Sequence, residues 1–186
     1  MPRLTFRLKK NADAKSQLIL IREDGTHTAG TIGPADGYGP VHDLTHFAIE
    51  STLGIDEGFL GLCASGWEIS DFEVRGTPGR LPAEAIFAEV AAGELSRQVL
   101  TRQMTSLEDF LWAIDLTFKQ HPGGVDRPEI TEEKFAVIHA FIAEQWKRWR
   151  EMPANGTIEL TYNSRRRSNC PAPTPEERRA GRLAAQ

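Results

Sequence analysis

The chain has 186 residues, 40% of them hydrophobic, with 22 basic against 26 acidic side chains and a net charge of −4. That is enough apolar material for one well-buried core and too little chain for a second full domain. No run approaches the roughly 18 apolar residues of a membrane span, and Met1-Pro2-Arg3-Leu4-Thr5-Phe6 leads into Lys9-Lys10 rather than an apolar signal region, so no membrane partner is expected and the cytoplasm is the default compartment.

Leu4 to Leu8 alternates apolar and polar residues, and residues 17–22 are rich in strand formers, so both read as strands. Asp24-Gly25 signals a tight hairpin turn, with residues 26–32 as the returning strand. Residues 33–40 hold three Gly and two Pro, which predicts an irregular loop. A helix is expected over residues 41–53, ending at Gly54 as a left-handed cap, and a shorter one over residues 56–64. Within the latter, Gly58 and Gly61 permit close approach of a neighbouring backbone but weaken the helix. Residues 67–74 read as irregular or as a short strand. Leu81-Pro82 opens a helical stretch with Ile86, Phe87, Val90, Leu95 and Val99 as its apolar residues and a bend expected near Gly93.

Ser106 has the form of a capping residue, and Leu107, Phe110, Leu111, Ile114 and Phe118 recur at helical spacing up to a break at Pro122-Gly123-Gly124. Thr131 starts another helix, with Phe135, Ile138, Ile142, Trp146 and Trp149 along one stripe. Residues 157–162 alternate again and are expected to rejoin the sheet. After Asn163 the composition shifts: six arginines face only Glu176 and Glu177, so residues 164–186 carry +4 and the preceding 163 residues carry −8. An acidic body is a poor nucleic-acid surface, and the arginines occur without interleaved aromatics. The expected organisation is a single α+β domain over residues 1–163 and a disordered basic tail over residues 164–186. Its architecture is a small antiparallel sheet, the N-terminal strands plus a late strand, against four or five helices.

Chemistry concentrates in His42-Asp43-Leu44-Thr45-His46-Phe47-Ala48-Ile49-Glu50. Two imidazoles four residues apart on a helix lie one above the other and can share a metal ion. At about 1.5 Å per residue Glu50 lies too far from His42 to bind the same ion, so it is expected as the partner that holds the free nitrogen of His46. The third ligand must come from elsewhere. His139 is the leading candidate, on the apolar stripe of a late helix, with His27, Cys63 and Glu144 behind it. The competing reading makes both His residues structural, with His42 and Asp43 bonded to the preceding loop, His46 to Glu50, and His139 a core histidine.

His42-Asp43-Leu44-Thr45-His46 resembles the His-Glu-x-x-His motif of the zincins, with Asp43 in place of the Glu that acts there as general base. Asp is shorter by one methylene, which tells against proteolysis in particular. The wider run, followed by Gly58-Phe59-Leu60-Gly61, resembles a family of small bacterial proteins of unassigned function. This likeness covers the first third of the chain and the strand from Gly156, and implies that motif and strand share one compact fold. The functional expectation is a divalent metal such as zinc on His42 and His46, with Asp43 as base in a metal-assisted hydrolase. The alternative is a non-enzymatic module that binds a protein or ligand. Gly33, Gly37 and Gly39 lack a following Gly-Lys-Ser/Thr, so no nucleotide cofactor is expected. Neither a disulfide framework nor a Cys-x-x-Cys site is available to Cys63 and Cys170.

Overall fold

The computed structural model describes residues 1–73, 77–119 and 127–183. Four antiparallel strands, β1 (Arg3–Lys10), β2 (Lys15–Arg22), β3 (His27–Pro34) and β4 (Thr157–Asn163), form a sheet in the order β3-β2-β1-β4. The alternation in the sequence places Leu4, Phe6 and Leu8 on one face, and the register sets Leu20 and Leu18 opposite Phe6 and Leu8 on β2, with Tyr162 and Ile158 opposite Leu4 and Leu8 on β4. All seven are buried. The β2–β3 turn uses Gly25 at φ 83°, and Asp24 Oδ1 accepts the Thr26 N–H.

Among the described residues there are six α-helices: α1 (Tyr38–Leu53), α2 (Phe59–Ala64), α3 (Ala83–Thr101), α4 (Leu107–Lys119), α5 (Glu132–Glu151) and α6 (Pro175–Leu183). Helix α1 starts three residues earlier than its composition suggests. Its first turn lies so close to β3 that a Cβ at Gly39 would overlap the Ile32 carbonyl, so the glycine that argues against regular structure is what allows the contact. Gly54 ends the helix at φ 67°, and Gly54 N–H reaches back to the Glu50 carbonyl. Residues 69–73 form a 3-10 turn rather than a strand. Ser106 caps α4 by accepting the Asp109 N–H, and Thr131 caps α5 by accepting the Lys134 N–H. The break expected at Pro122-Gly123-Gly124 lies outside the described residues.

Two apolar clusters share α1 as a common wall. On one side Leu44 and Phe47 meet the sheet face, together with Leu60 and Cys63 of α2 and Trp149 of α5. On the other side Val41, Ala48 and Ile49 pack with Phe87 and Ala91 of α3, Phe110 and Ile114 of α4, and Phe135, Ile138 and Ile142 of α5. A helix with core on two sides has little surface left for solvent, and residues 43–50 are all buried.

The segment after Asn163, expected to be a disordered tail, is held against the body as far as Arg178. Carboxylates of the acidic body account for the difference, accepting from backbone N–H and hydroxyl groups of the segment as well as from an arginine. Asp56 accepts from Ser164 Oγ and Arg165 N, Glu57 accepts from Asn169 N, and the Arg178 guanidinium forks onto the buried Asp71 at 2.8 and 2.7 Å.

Candidate metal centre

Four residues at successive i, i+4 positions of α1 form a ladder of polar contacts. Tyr38 Oη lies 2.9 Å from His42 Nδ1, His42 Nε2 lies 3.2 Å from His46 Nε2, and His46 Nδ1 lies 3.1 Å from Glu50 Oε1. The outer oxygen of Glu50 accepts the Leu60 N–H at 2.9 Å and the Gly61 N–H at 3.4 Å, which ties the ladder to α2. Room for that carboxyl exists because residue 58 is glycine: a Cβ there would lie 2.5 Å from Glu50 Cδ and Oε2.

Glu89 of α3 closes the group from outside the helix. Its carboxyl oxygens lie 3.1 Å from His46 Nε2 and 3.5 Å from His42 Nε2, so donor atoms of His42, His46 and Glu89 all fall within 4.8 Å of one another. Four ligands placed tetrahedrally about 2.0–2.1 Å from an ion are separated by about 3.3–3.4 Å. The two imidazole nitrogens, 3.2 Å apart, and Glu89 Oε2, 3.1 Å from His46 Nε2, lie close to that edge, while it is the other oxygen, Oε1, that stands 3.5 Å from His42 Nε2. Both imidazoles also point their remaining nitrogen at an oxygen, His46 at Glu50 and His42 at Tyr38, as metal-bound imidazoles do.

Protons hold the same geometry without an ion. Burial pulls the His46 imidazole down, but hydrogen bonds to Glu50 and Glu89 outweigh it and lift its pKa to about 10. His42 is lowered by its burial, only partly offset by Glu89. Glu89 is held well below the usual carboxylate range by its hydrogen bonds to the two rings, although 65% of its side chain is exposed. With His46 doubly protonated, its Nε2–H faces both Glu89 and the unprotonated Nε2 of His42, and the Nδ1–H of His42 is left to donate to Tyr38. Burial raises the Glu50 pKa, and hydrogen bonds from His46, Leu60 and Gly61 offset it only in part.

Asp43 also lines the cleft onto which His42, His46 and Glu89 open, a space of about 480 Å³. Its Oδ2 is buried without a hydrogen-bond partner among the described residues, and burial, opposed by His46, pushes its pKa up to about 7.

The expected third ligand, His139, is not part of this group. It stands on α5 with its ring edge-on to Phe135 at 4.2 Å between centroids, and Phe135 in turn packs on Phe110 of α4. That is the α4–α5 side of the core, whereas His42 and His46 meet α3. Neither His139 nitrogen has a partner among the described residues, and burial lowers its pKa. His27 and Glu144 are exposed, and Cys63 is wholly buried with its thiol pushed well up by desolvation. Sequence reasoning missed Glu89, yet it had a signal: Ile86, Glu89, Val90 and Gly93 occupy one stripe of α3, with a carboxylate where an apolar residue would otherwise continue the face.

No protein-family model, curated protein or solved structure matches the chain. Among the described residues no helix is long and apolar enough to cross a membrane.

Proposed function

We propose that this protein binds one divalent metal ion, zinc by the fit of its donors, through His42 Nε2, His46 Nε2 and a carboxyl oxygen of Glu89. The observation that carries the reading is the convergence of the three donor groups, with the His42–His46 and His46–Glu89 separations of 3.2 and 3.1 Å close to the edge of a tetrahedral site. Glu50 is the outer partner that orients His46, and Tyr38 does the same for His42.

Three protein ligands leave a fourth position, and the donors border a cleft, which is the arrangement of catalytic rather than structural zinc sites. When bound, such an ion lowers the pKa of a coordinated water and polarises a carbonyl, so metal-assisted hydrolysis is the reaction class that best suits the site. Asp43 lines the same cleft, and its carboxyl is the one beside the donors that is suited to take and return a proton.

One observation favours the competing reading, a non-enzymatic interaction module with structural histidines: the ladder from Tyr38 to Glu50 is internally satisfied by protons alone. Metal analysis by mass spectrometry on protein purified without chelator separates the two. About one ion per chain, lost in both His46→Ala and Glu89→Gln, is the expected result. No metal, together with no rise in Tm on adding zinc, refutes the metal site and leaves the interaction module.

A further inference from the structure

The cleft beside the three donors restricts what its ligand is. The donor atoms gather within 4.8 Å of one another, while the rest of the lining among the described residues is apolar apart from Asp43 and the exposed Glu73. Phe59 of α2, Phe72 of the 3-10 turn, and Ile86 and Val90 of α3 supply its apolar walls. Among the described residues no Lys or Arg lines it, so none of their side chains offers a cation to a phosphorylated or polyanionic ligand. A sugar or a peptide backbone would leave its many polar groups unpaired against those walls. A divalent ion held by one carboxylate and two neutral imidazoles retains a net positive charge, which selects a single anionic or carbonyl oxygen as the group that completes the coordination.

Building on the metal site proposed above, we propose that the cleft receives a medium-length acyl group: one carboxylate or acyl oxygen on the metal, and an aliphatic chain along Phe59, Phe72, Ile86 and Val90. Size agrees. At roughly 30 Å³ per heavy atom a ligand of about ten heavy atoms occupies about 300 Å³, which the cleft of about 480 Å³ accommodates. The free acid and its esters or amides share this chemistry, and only the latter would be turned over.

The test is calorimetric titration of the full-length chain with butyrate, hexanoate, octanoate and decanoate, zinc-loaded and zinc-free, with metal content measured on the same samples. Each added methylene is expected to tighten binding about three- to fourfold, about a hundredfold from butyrate to octanoate, in the zinc-loaded protein only. Ile86→Trp, which fills the cleft from a residue that is not itself a metal ligand, is expected to weaken octanoate at least about tenfold at unchanged zinc content; Val90→Trp serves if the first variant does not fold or loses zinc. Affinity independent of chain length, equal binding to zinc-free protein, or octanoate affinity unaltered in the tryptophan variants overturns the acyl ligand while the zinc site stands. Failure to take up zinc overturns both. Hydrolysis of p-nitrophenyl octanoate faster than of the acetate by zinc-loaded protein alone identifies the ester as the ligand's form, and binding without turnover identifies the free acid.

Discussion

Replacing Glu50 by Gln removes one charge and no volume from a wholly buried position. In the native chain one carboxyl oxygen serves His46 Nδ1 at 3.1 Å and the other serves the Leu60 and Gly61 N–H groups. A carboxamide has a single acceptor oxygen. If that oxygen stays with the two amides of α2, the NH2 group faces His46 Nδ1, which must then accept, and the proton of the neutral ring moves to Nε2, where it blocks the metal. If the oxygen turns to His46, the NH2 group faces the Leu60 N–H and a buried donor is left unsatisfied, at about 1–3 kcal/mol. Either way zinc affinity should fall about 10- to 100-fold, the usual effect of losing such an outer partner, which corresponds to about 1.4–2.7 kcal/mol. The assay is zinc titration against a competing chromogenic chelator at neutral pH, with circular dichroism to show that the helices persist. A folded Glu50→Gln variant within twofold of native affinity would refute the reasoning, because the His46 tautomer would then not depend on Glu50.

In the metal-free protein, Asp43 sets a pH dependence. Its carboxyl titrates near pH 7 when folded against the usual 3.8, so the folded chain holds the proton more tightly and stability falls as pH rises from about 4 to about 7. At about 1.36 kcal/mol per pKa unit the loss reaches about 4 kcal/mol, and Asp43→Asn should remove it. Urea denaturation in chelator should show the variant more stable than the native chain at pH 8, with the gap closing toward pH 4; parallel curves refute the assignment. Gly58→Ala should displace the Glu50 carboxyl, which a Cβ would approach to 2.5 Å, and lower both Tm and zinc affinity, whereas Gly25→Ala, at a positive φ but with nothing near its Cβ, should lower Tm and leave zinc affinity unchanged. Arg178→Ala strips the buried Asp71 of its guanidinium partner, at a cost of about 3 kcal/mol, and should expose residues 171–175 to limited proteolysis; an unchanged digestion pattern would show that Arg178 does not hold the tail.

Period and punctuation in the sequence determined the sheet and most of the helices. Leu4, Phe6 and Leu8 alternate because one sheet face is buried, and Gly25, Gly54, Ser106 and Thr131 mark ends because turns and caps are local chemistry. The His42–His46–Glu50 spacing was legible for the same reason, since all three lie on one helix and helical geometry makes residues four apart neighbours. Tyr38 extends that ladder by one turn, but the glycines around it pointed to a loop, because only contact with β3 shows that Gly39 permits the helix to start there. Glu89 was decided by the packing of α3 on α1, which brings together residues 43 positions apart and leaves His139, equally plausible by composition, on the other side of the core. The tail was decided by tertiary structure too. Composition reports its charge, but only the fold shows Asp56 and Glu57 placed to accept its backbone N–H groups and Asp71 its Arg178 guanidinium. What lies within one element is written in local spacing, and a site assembled from several elements depends on how they pack, which spacing alone does not encode.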